Sequence, residues 1–155
     1  MLKLIISGGQ TGVDRAALDA ALHCNIQCGG HCPNGRLAED GKIHSRYPLK
    51  ELISKRYMDR TLKNILDADG TVIIYNKALN DGTALTSKLC EKHKSPHLLI
   101  SAFDTNVYKT YKLIDQFINN NQIEILNIAG PRKSQWDAGY DYAYFCISAT
   151  LKRII

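Results

Sequence analysis

Four glycine-containing loops carry the residues of this sequence best suited to holding an anion. The first spans residues 7–15 and reads SGGQTGVDR, between a short apolar run and a helical pattern. Glycines let a backbone approach a ligand closely, and a helix start offers unpaired N–H groups at the positive end of its dipole. This loop predicts a phosphate-binding turn; the alternative is a plain strand-to-helix turn capped by Asp14. Its spacing matches neither the P-loop nor Gly-x-Gly-x-x-Gly.

The second loop is long and combines glycines with charged residues. Residues 29–41 read GGHCPNGRLAEDG, and the connection continues to about residue 51. The forked donors of Arg36 and Arg46 suit phosphate or another oxyanion. Glu39 and Asp40 can pair with those arginines or act as acid and base. The alternative is a solvated loop with surface ion pairs, but loops of this length are usually functional or disordered.

The third and fourth loops also follow strand-like runs. Residues 80–86 read NDGTALT and open a helical pattern, while residues 129–134 read AGPRKS. Gly82, Thr83 and Thr86 offer backbone and hydroxyl donors to a phosphate, unless this segment is only a capped helix start. Arg132 and Lys133 place two cations beside a glycine. Four such loops in one short chain indicate an anionic small-molecule ligand.

Strand-like and helix-like patterns alternate along the chain and must position these loops. Apolar runs predict strands at residues 3–7, 26–28, 71–75, 97–101 and 123–129. Helical spacing predicts helices at residues 14–24, 57–67, 82–94 and 107–119, and from about residue 140 onward. This alternation predicts an α/β fold with a mainly parallel sheet and helices on both faces. Ligands of such sheets bind beyond the carboxyl ends of the strands.

Composition narrows the class of protein. The 155 residues are 45% hydrophobic and 23% charged, as expected for one globular domain spanning residues 1–155. No apolar stretch is long enough for a signal peptide or a membrane helix, so we expect a cytoplasmic protein without a membrane partner. The net charge of +5 favours anionic partners, but the basic residues are dispersed, so nucleic acid is not expected. The five cysteines are odd in number and fit no standard ligand spacing, which predicts buried thiols and no metal site.

The sequence resembles the molybdenum cofactor carrier proteins. The resemblance lies in the first loop and its helix (SGGQTGVDRAALDAA, residues 7–21), in the second loop, and in residues 60–70, 82–86 and 126–132. It covers nearly the whole chain, although Lys133 stands where that family more often has an acidic residue. It implies a Rossmann-like three-layer sandwich, related to Lonely-Guy phosphoribohydrolases and nucleotide-sensing domains. It also implies a homo-oligomer, either a dimer or a tetramer.

The resemblance implies binding of molybdenum cofactor (molybdopterin) or a related phosphate-bearing pterin or nucleotide. With the loops, it predicts these binding residues: Gly8, Gly9, Gln10, Thr11, Gly12, Arg15, Arg36, Arg46, Gly82, Thr83, Thr86 and Arg132. No catalytic residue is predicted, which favours a carrier. The alternatives are a nucleoside-phosphate hydrolase and a nucleotide sensor. Thr86 occupies the place of the Lonely-Guy glutamate, which argues against hydrolysis, although Glu39, Asp40 or Asp14 can still supply a carboxylate.

Overall fold

The computed structural model describes residues 1–154, which form an α/β fold. The strands in chain order are β1 (Leu4–Ile6), β2 (Gln27–Gly29), β3 (His31–Cys32), β4 (Leu37–Ala38), β5 (Gly41–Lys42), β6 (Lys50–Glu51), β7 (Gly70–Tyr75), β8 (His97–Ser101) and β9 (Ile125–Ala129). The helices are α1 (Val13–His23), α2 (Tyr57–Asp67), α3 (Asp81–Lys92), α4 (Val107–Asn120) and α5 (Gly139–Ile154).

Five parallel strands form the central sheet in the order β2-β1-β9-β7-β8. Helices α1, α4 and α5 pack together on one face, and α2 packs with α3 on the other. Right-handed crossovers produce this division, because connections that move in opposite directions along a sheet place their helices on opposite faces. The predicted Rossmann-like three-layer sandwich is confirmed. No helix within residues 1–154 combines the length and the apolar character needed to cross a membrane.

The predicted elements are present, with differences at their ends. The last strand begins at Ile125, because the Ile123 N–H bonds back to the Ile118 carbonyl and closes the end of α4. Helix α3 stops at Lys92, and Lys94 takes a left-handed backbone with φ of 53°. In both cases a hydrogen-bonded turn takes up residues that the sequence pattern assigned to the strand or helix.

The long second connection is more ordered than the sequence predicts. Strand β3 pairs in parallel with β6, and β4 pairs with β5 in an antiparallel hairpin. Ile43, Tyr47 and Leu49 from this connection pack with Leu18 of α1 in a second small apolar cluster. Strands of two residues carry no readable periodicity, so only their packing reveals them. The connection is therefore anchored beside the carboxyl edge of the sheet.

The two faces of the sheet differ in polarity. Toward α1, α4 and α5 the strands present apolar side chains such as Ile5, Ile74 and Leu126, and these helices bury four polar side chains: Asp14, Thr110, Ser148 and Thr150. The buried polar side chains near α2 and α3 are Arg60, Asn64, Thr71, Thr83, Thr86, Ser87 and Asn127. Burying polar groups is unfavourable unless they are satisfied, so their concentration on one side indicates a functional layer.

Glycine is required at position 130, where β9 turns into the fourth loop. A Cβ there would lie 2.5 Å from the Ile74 carbonyl oxygen and 2.6 Å from Val13 Cβ. At Gly82, by contrast, the nearest atom to an added Cβ is 3.7 Å away. The first turn of α3 therefore tolerates a methyl group that the β9 turn excludes.

We predict that Gly130→Ala lowers the free energy of unfolding by about 1–3 kcal/mol, because overpacking forces backbone shifts. Gly82→Ala should change it by less than about 1 kcal/mol, in the stabilising direction, because alanine favours a helix. Urea denaturation of the two variants measures both effects. Equal stabilities would contradict the packing described here.

Candidate functional site

A cleft of about 230 Å³ opens at the carboxyl edge of the sheet, between the ends of β1 and β9 and the helices α2 and α3. Ligand sites of open α/β sheets lie at this edge. Six of the residues predicted to bind the ligand line it: Gly8, Gln10, Gly82, Thr83, Thr86 and Arg132. The structure thus brings together parts of the first, third and fourth loops.

Arg60 of α2 is the central charged residue of the cleft. Its guanidinium lies directly over Gly8, where an added Cβ would come within 1.7 Å of Nη1. Nη1 donates to Oδ2 of Asp14 at 3.1 Å. The Arg60 side chain is only 10% exposed, and within residues 1–154 its Nε has no hydrogen-bond partner. A buried guanidinium with donor capacity left over is suited to an anionic ligand.

Asp14 is the buried partner of Arg60 and also lines the cleft. It does not cap α1: the N-cap is Gly12, without a side-chain cap bond, and Asp14 lies one residue inside the helix. Burial raises the pKa of Asp14 above its ordinary value, although Arg60 and backbone hydrogen bonds from Gln10, Gly130 and Gly8 oppose the shift. The backbone of the first loop thus faces a carboxylate of its own chain.

The remaining predicted residues of the first loop, Gly9, Thr11, Gly12 and Arg15, lie outside the lining of this cleft. Arg15 donates to Asp40 at 2.5 Å and to the Gly9 carbonyl at 2.9 Å. The Thr11 hydroxyl donates to the Glu39 carboxylate. These contacts attach the first loop to the β4–β5 hairpin.

The third loop is a capped helix start, as the alternative interpretation proposed. The Asn80 side chain accepts from the Thr83 N–H at 3.0 Å. The Thr83 hydroxyl donates to Asn80 at 2.9 Å, and the Thr86 hydroxyl donates to the Gly82 carbonyl at 2.9 Å. Both hydroxyl hydrogens are therefore used within α3. The N–H groups of Asp81 and Gly82, which have no intrahelical acceptor, are the donors that this helix end offers to a ligand.

Arg132 reaches the cleft from the fourth loop. Its side chain is 41% exposed, and its Nε lies 3.7 Å from Oε2 of Glu39. At that distance the ion pair is loose, and the contact lies beyond hydrogen-bonding range. Arg132 is therefore a cation available at the rim of the cleft.

Arg36 and Arg46 lie outside the lining of the cleft. The Arg36 guanidinium donates to four carbonyl oxygens of its own connection, at Ile43 (2.9 Å), His44 (2.9 Å), Tyr47 (2.9 Å) and Leu49 (3.2 Å). Arg46 donates to Asp19 at 2.6 Å and lies over the Tyr47 ring at 4.6 Å. Both side chains hold the second connection in place.

The binding prediction omitted residues of α2 and β9 that line the cleft. Arg60 and Asn64 are four residues apart and share one face of α2. The Asn64 side chain also accepts from the His31 N–H at 2.8 Å, and Asn127 donates to Thr71 Oγ1 at 3.2 Å. A signal was present, since Arg60 and Asn64 belong to the third motif of the family resemblance.

No group of three or more His, Cys, Asp or Glu side chains within residues 1–154 is arranged to hold a metal ion. All five cysteines are free thiols, and four of them are buried: Cys24, Cys32, Cys90 and Cys146. Burial raises the pKa of Cys146 to about 12, which keeps that thiol protonated.

We predict that Arg36→Ala lowers the free energy of unfolding by about 2 kcal/mol, because it leaves several carbonyl groups without their charged donor. Arg46→Ala should cost less than about 1 kcal/mol, because it removes an exposed ion pair. Urea denaturation of both variants compares the two arginines. A larger loss for Arg46→Ala than for Arg36→Ala would contradict these roles.

The sheet order contains a circular permutation. The sheet order is β2-β1-β9-β7-β8. If the strands are numbered from β7 and the sheet is read from the β8 edge, this order becomes 2-1-3-4-5, a doubly wound order whose ligands bind between its strands 1 and 3. In this chain those strands are β7 and β9. The cleft follows the carboxyl end of β9 and includes the start of the helix after β7, so its position agrees with that rule.

Comparisons with known proteins agree with the permuted fold. A crystal structure described as a "Putative molybdenum carrier protein" from Syntrophus aciditrophicus is 41% identical, with a TM-score of 0.95, over 97% of this chain and 95% of that chain. No curated protein matches the sequence. Residues 5–151 match the model of the circularly permutated YpsA SLOG family. These matches confirm the predicted family resemblance, and the chain belongs to the circularly permutated YpsA SLOG family.

Proposed function

We propose that this protein binds a phosphate-bearing small molecule in the cleft and carries it without changing it. The ligand class is molybdenum cofactor or a related pterin or nucleotide phosphate. The observation that carries the proposal is Arg60, a largely buried cation that lines the cleft at the carboxyl edge of the sheet. Kinship with a protein described as a molybdenum carrier supports this class of ligand.

The donors around the cleft suit a phosphate group. A guanidinium fork can bind two oxygens of one phosphate, and a helix N-terminus adds backbone N–H groups and a positive dipole end. Here Arg60 supplies the guanidinium, and Asp81 and Gly82 supply the N–H groups of α3. Arg132 adds a second cation at the rim. In molybdenum cofactor, the terminal phosphate is the group that these donors would hold.

The rim of the cleft suits a flat ring system attached to the phosphate. Tyr57 and Met58, at the start of α2, line the cleft and are 40% and 42% exposed. The Arg60 guanidinium carbon lies 5.6 Å from the centre of the Tyr57 ring. An aromatic face beside a buried cation favours a ligand with a planar heterocycle and an anionic end.

Binding without hydrolysis is favoured by the environment of the acidic residues. Glu39 and Asp40 lie outside the cleft lining, and each is held by donors of other loops. The hydrogen bond from Arg15 lowers the pKa of Asp40, so this carboxylate is a weak base. Asp14 lines the cleft and burial raises its pKa, but its carboxylate is paired with Arg60. Thr86, in place of a glutamate, has its hydroxyl bound to Gly82.

We predict that guanosine monophosphate raises the melting temperature of the protein, because a ligand that binds only the folded state stabilises it by mass action. Arg60→Lys keeps the charge opposite Asp14 but loses the guanidinium fork. It should weaken binding by about tenfold or more, the effect of losing a charged hydrogen bond. Arg46→Ala is the matched control, because it removes an arginine outside the cleft. Calorimetric titration measures the three affinities.

Equal affinities of wild type and Arg60→Lys for guanosine monophosphate would contradict the assignment of the cleft. A loss of affinity only in Arg46→Ala would place the ligand elsewhere. The same mixtures distinguish a carrier from a hydrolase. Chromatography should recover intact nucleotide and no free base above the background rate. Turnover that disappears in Asp14→Asn while binding remains would contradict the carrier proposal and make Asp14 catalytic.

A further inference from the structure

Glu39 lies at the turn of the β4–β5 hairpin, where hydrogen-bond donors of other loops surround its carboxylate. Its carboxylate accepts hydrogen bonds from the Thr11 hydroxyl, from the Ser134 N–H at 3.1 Å and from the Ser134 hydroxyl at 2.5 Å. Arg132 Nε lies 3.7 Å away. These donors come from the first and fourth loops, whereas Glu39 comes from the second.

This set of donors is of the kind that binds a tetrahedral oxyanion. Two hydroxyls, one backbone N–H and a guanidinium converge on one pair of oxygens, and hydrogen bonds to an ionised acceptor are the strong ones. Partial burial raises the pKa of Glu39, but the hydrogen bonds from Ser134 and Thr11 outweigh it and leave the pKa below its ordinary value. At neutral pH, Glu39 is therefore an anion bound by its own protein.

The segment that carries Glu39 is held by contacts to the first and fourth loops more than by strand pairing. Strands β4 and β5 have two residues each, so the hairpin has little pairing of its own. The Glu39 side chain is 21% exposed. The Glu39 N–H donates to Gln10 Oε1 at 2.9 Å, so the backbone keeps an anchor of its own if the carboxylate leaves its donors. Displacing the carboxylate therefore requires no change in the sheet.

We propose that Thr11, Ser134 and Arg132 form a second oxyanion site, which Glu39 fills in the free protein and which a ligand oxyanion takes over on binding. This inference rests on the proposed function, because Arg132 also borders the cleft. It narrows the ligand to a molecule with two anionic groups. A diphosphate, or a phosphate combined with a metal oxyanion, has that character.

The test uses inorganic pyrophosphate as the probe and Glu39→Gln as the variant. The glutamine keeps an oxygen that can accept from Thr11 and Ser134 but removes the competing charge. We predict that it binds pyrophosphate about tenfold more tightly than wild type, as measured by calorimetric titration. Asp40→Asn is the matched control, because it removes the neighbouring charge from the same hairpin without touching Arg132. Its affinity should stay within about twofold of wild type.

A double variant shows whether Glu39 acts through Arg132. Glu39→Gln combined with Arg132→Ala should bind pyrophosphate no more tightly than Arg132→Ala alone. If wild type and Glu39→Gln bind pyrophosphate equally, and Arg60→Lys binds it more weakly, the second site is wrong and the proposed function stands. The second site is also wrong if Asp40→Asn increases the affinity for pyrophosphate as much as Glu39→Gln does. If neither wild type nor any variant binds pyrophosphate, with normal melting curves, the second site is wrong; if guanosine monophosphate binding is absent as well, both proposals are overturned.

Discussion

The buried contact between Arg60 and Asp14 organises the carboxyl edge of this protein. It joins α2 to α1 above Gly8, and both residues line the cleft. Removing one partner from such a pair leaves a buried charge uncompensated, at a cost of about 3–5 kcal/mol, whereas the pair itself adds little net stability. The role of the ion pair is therefore to position the Arg60 guanidinium. It holds this group at a place where the fold would otherwise bury an apolar side chain.

Carboxylates of the chain itself recur beside the arginines of the loops. Asp40 binds Arg15, Asp19 binds Arg46, and Glu39 lies beside Arg132. The pairs of Arg15 and Arg46 neutralise cations that the sequence alone presents as free for a ligand, whereas the looser contact at 3.7 Å leaves Arg132 available. The two arginines that still face the cleft differ in kind, because Arg60 is deeply buried and Arg132 is exposed at the rim. One cation therefore lies deep in the cleft and the other at its rim.

The architecture could be read from the sequence because it depends on local patterns. Apolar runs such as that of β7 and the helical spacing of α2 indicate their elements directly. Strand order was not predictable, since nothing local shows that β9 lies between β1 and β7. The two-residue strands of the second connection escaped prediction because they depend on packing against Leu18.

The structure brings part of the predicted binding set together. Gly8, Gln10 and Arg132 line the cleft at the carboxyl edge that the loop chemistry indicated. Sequence reasoning cannot tell which donors are already used within the chain. Arg36 illustrates this limit, because its four carbonyl partners become neighbours only when the connection folds. Arg60 illustrates the converse, since a charged residue on an amphipathic helix normally faces water.

Native mass spectrometry of protein purified gently from cells that make molybdenum cofactor tests whether the cleft holds a phosphate-bearing small molecule. We expect a species heavier than the bare chain, whose released ligand contains phosphorus and is depleted in Arg60→Lys prepared in the same way. A chain that never retains a small molecule, or that retains one without a phosphate, would contradict this expectation.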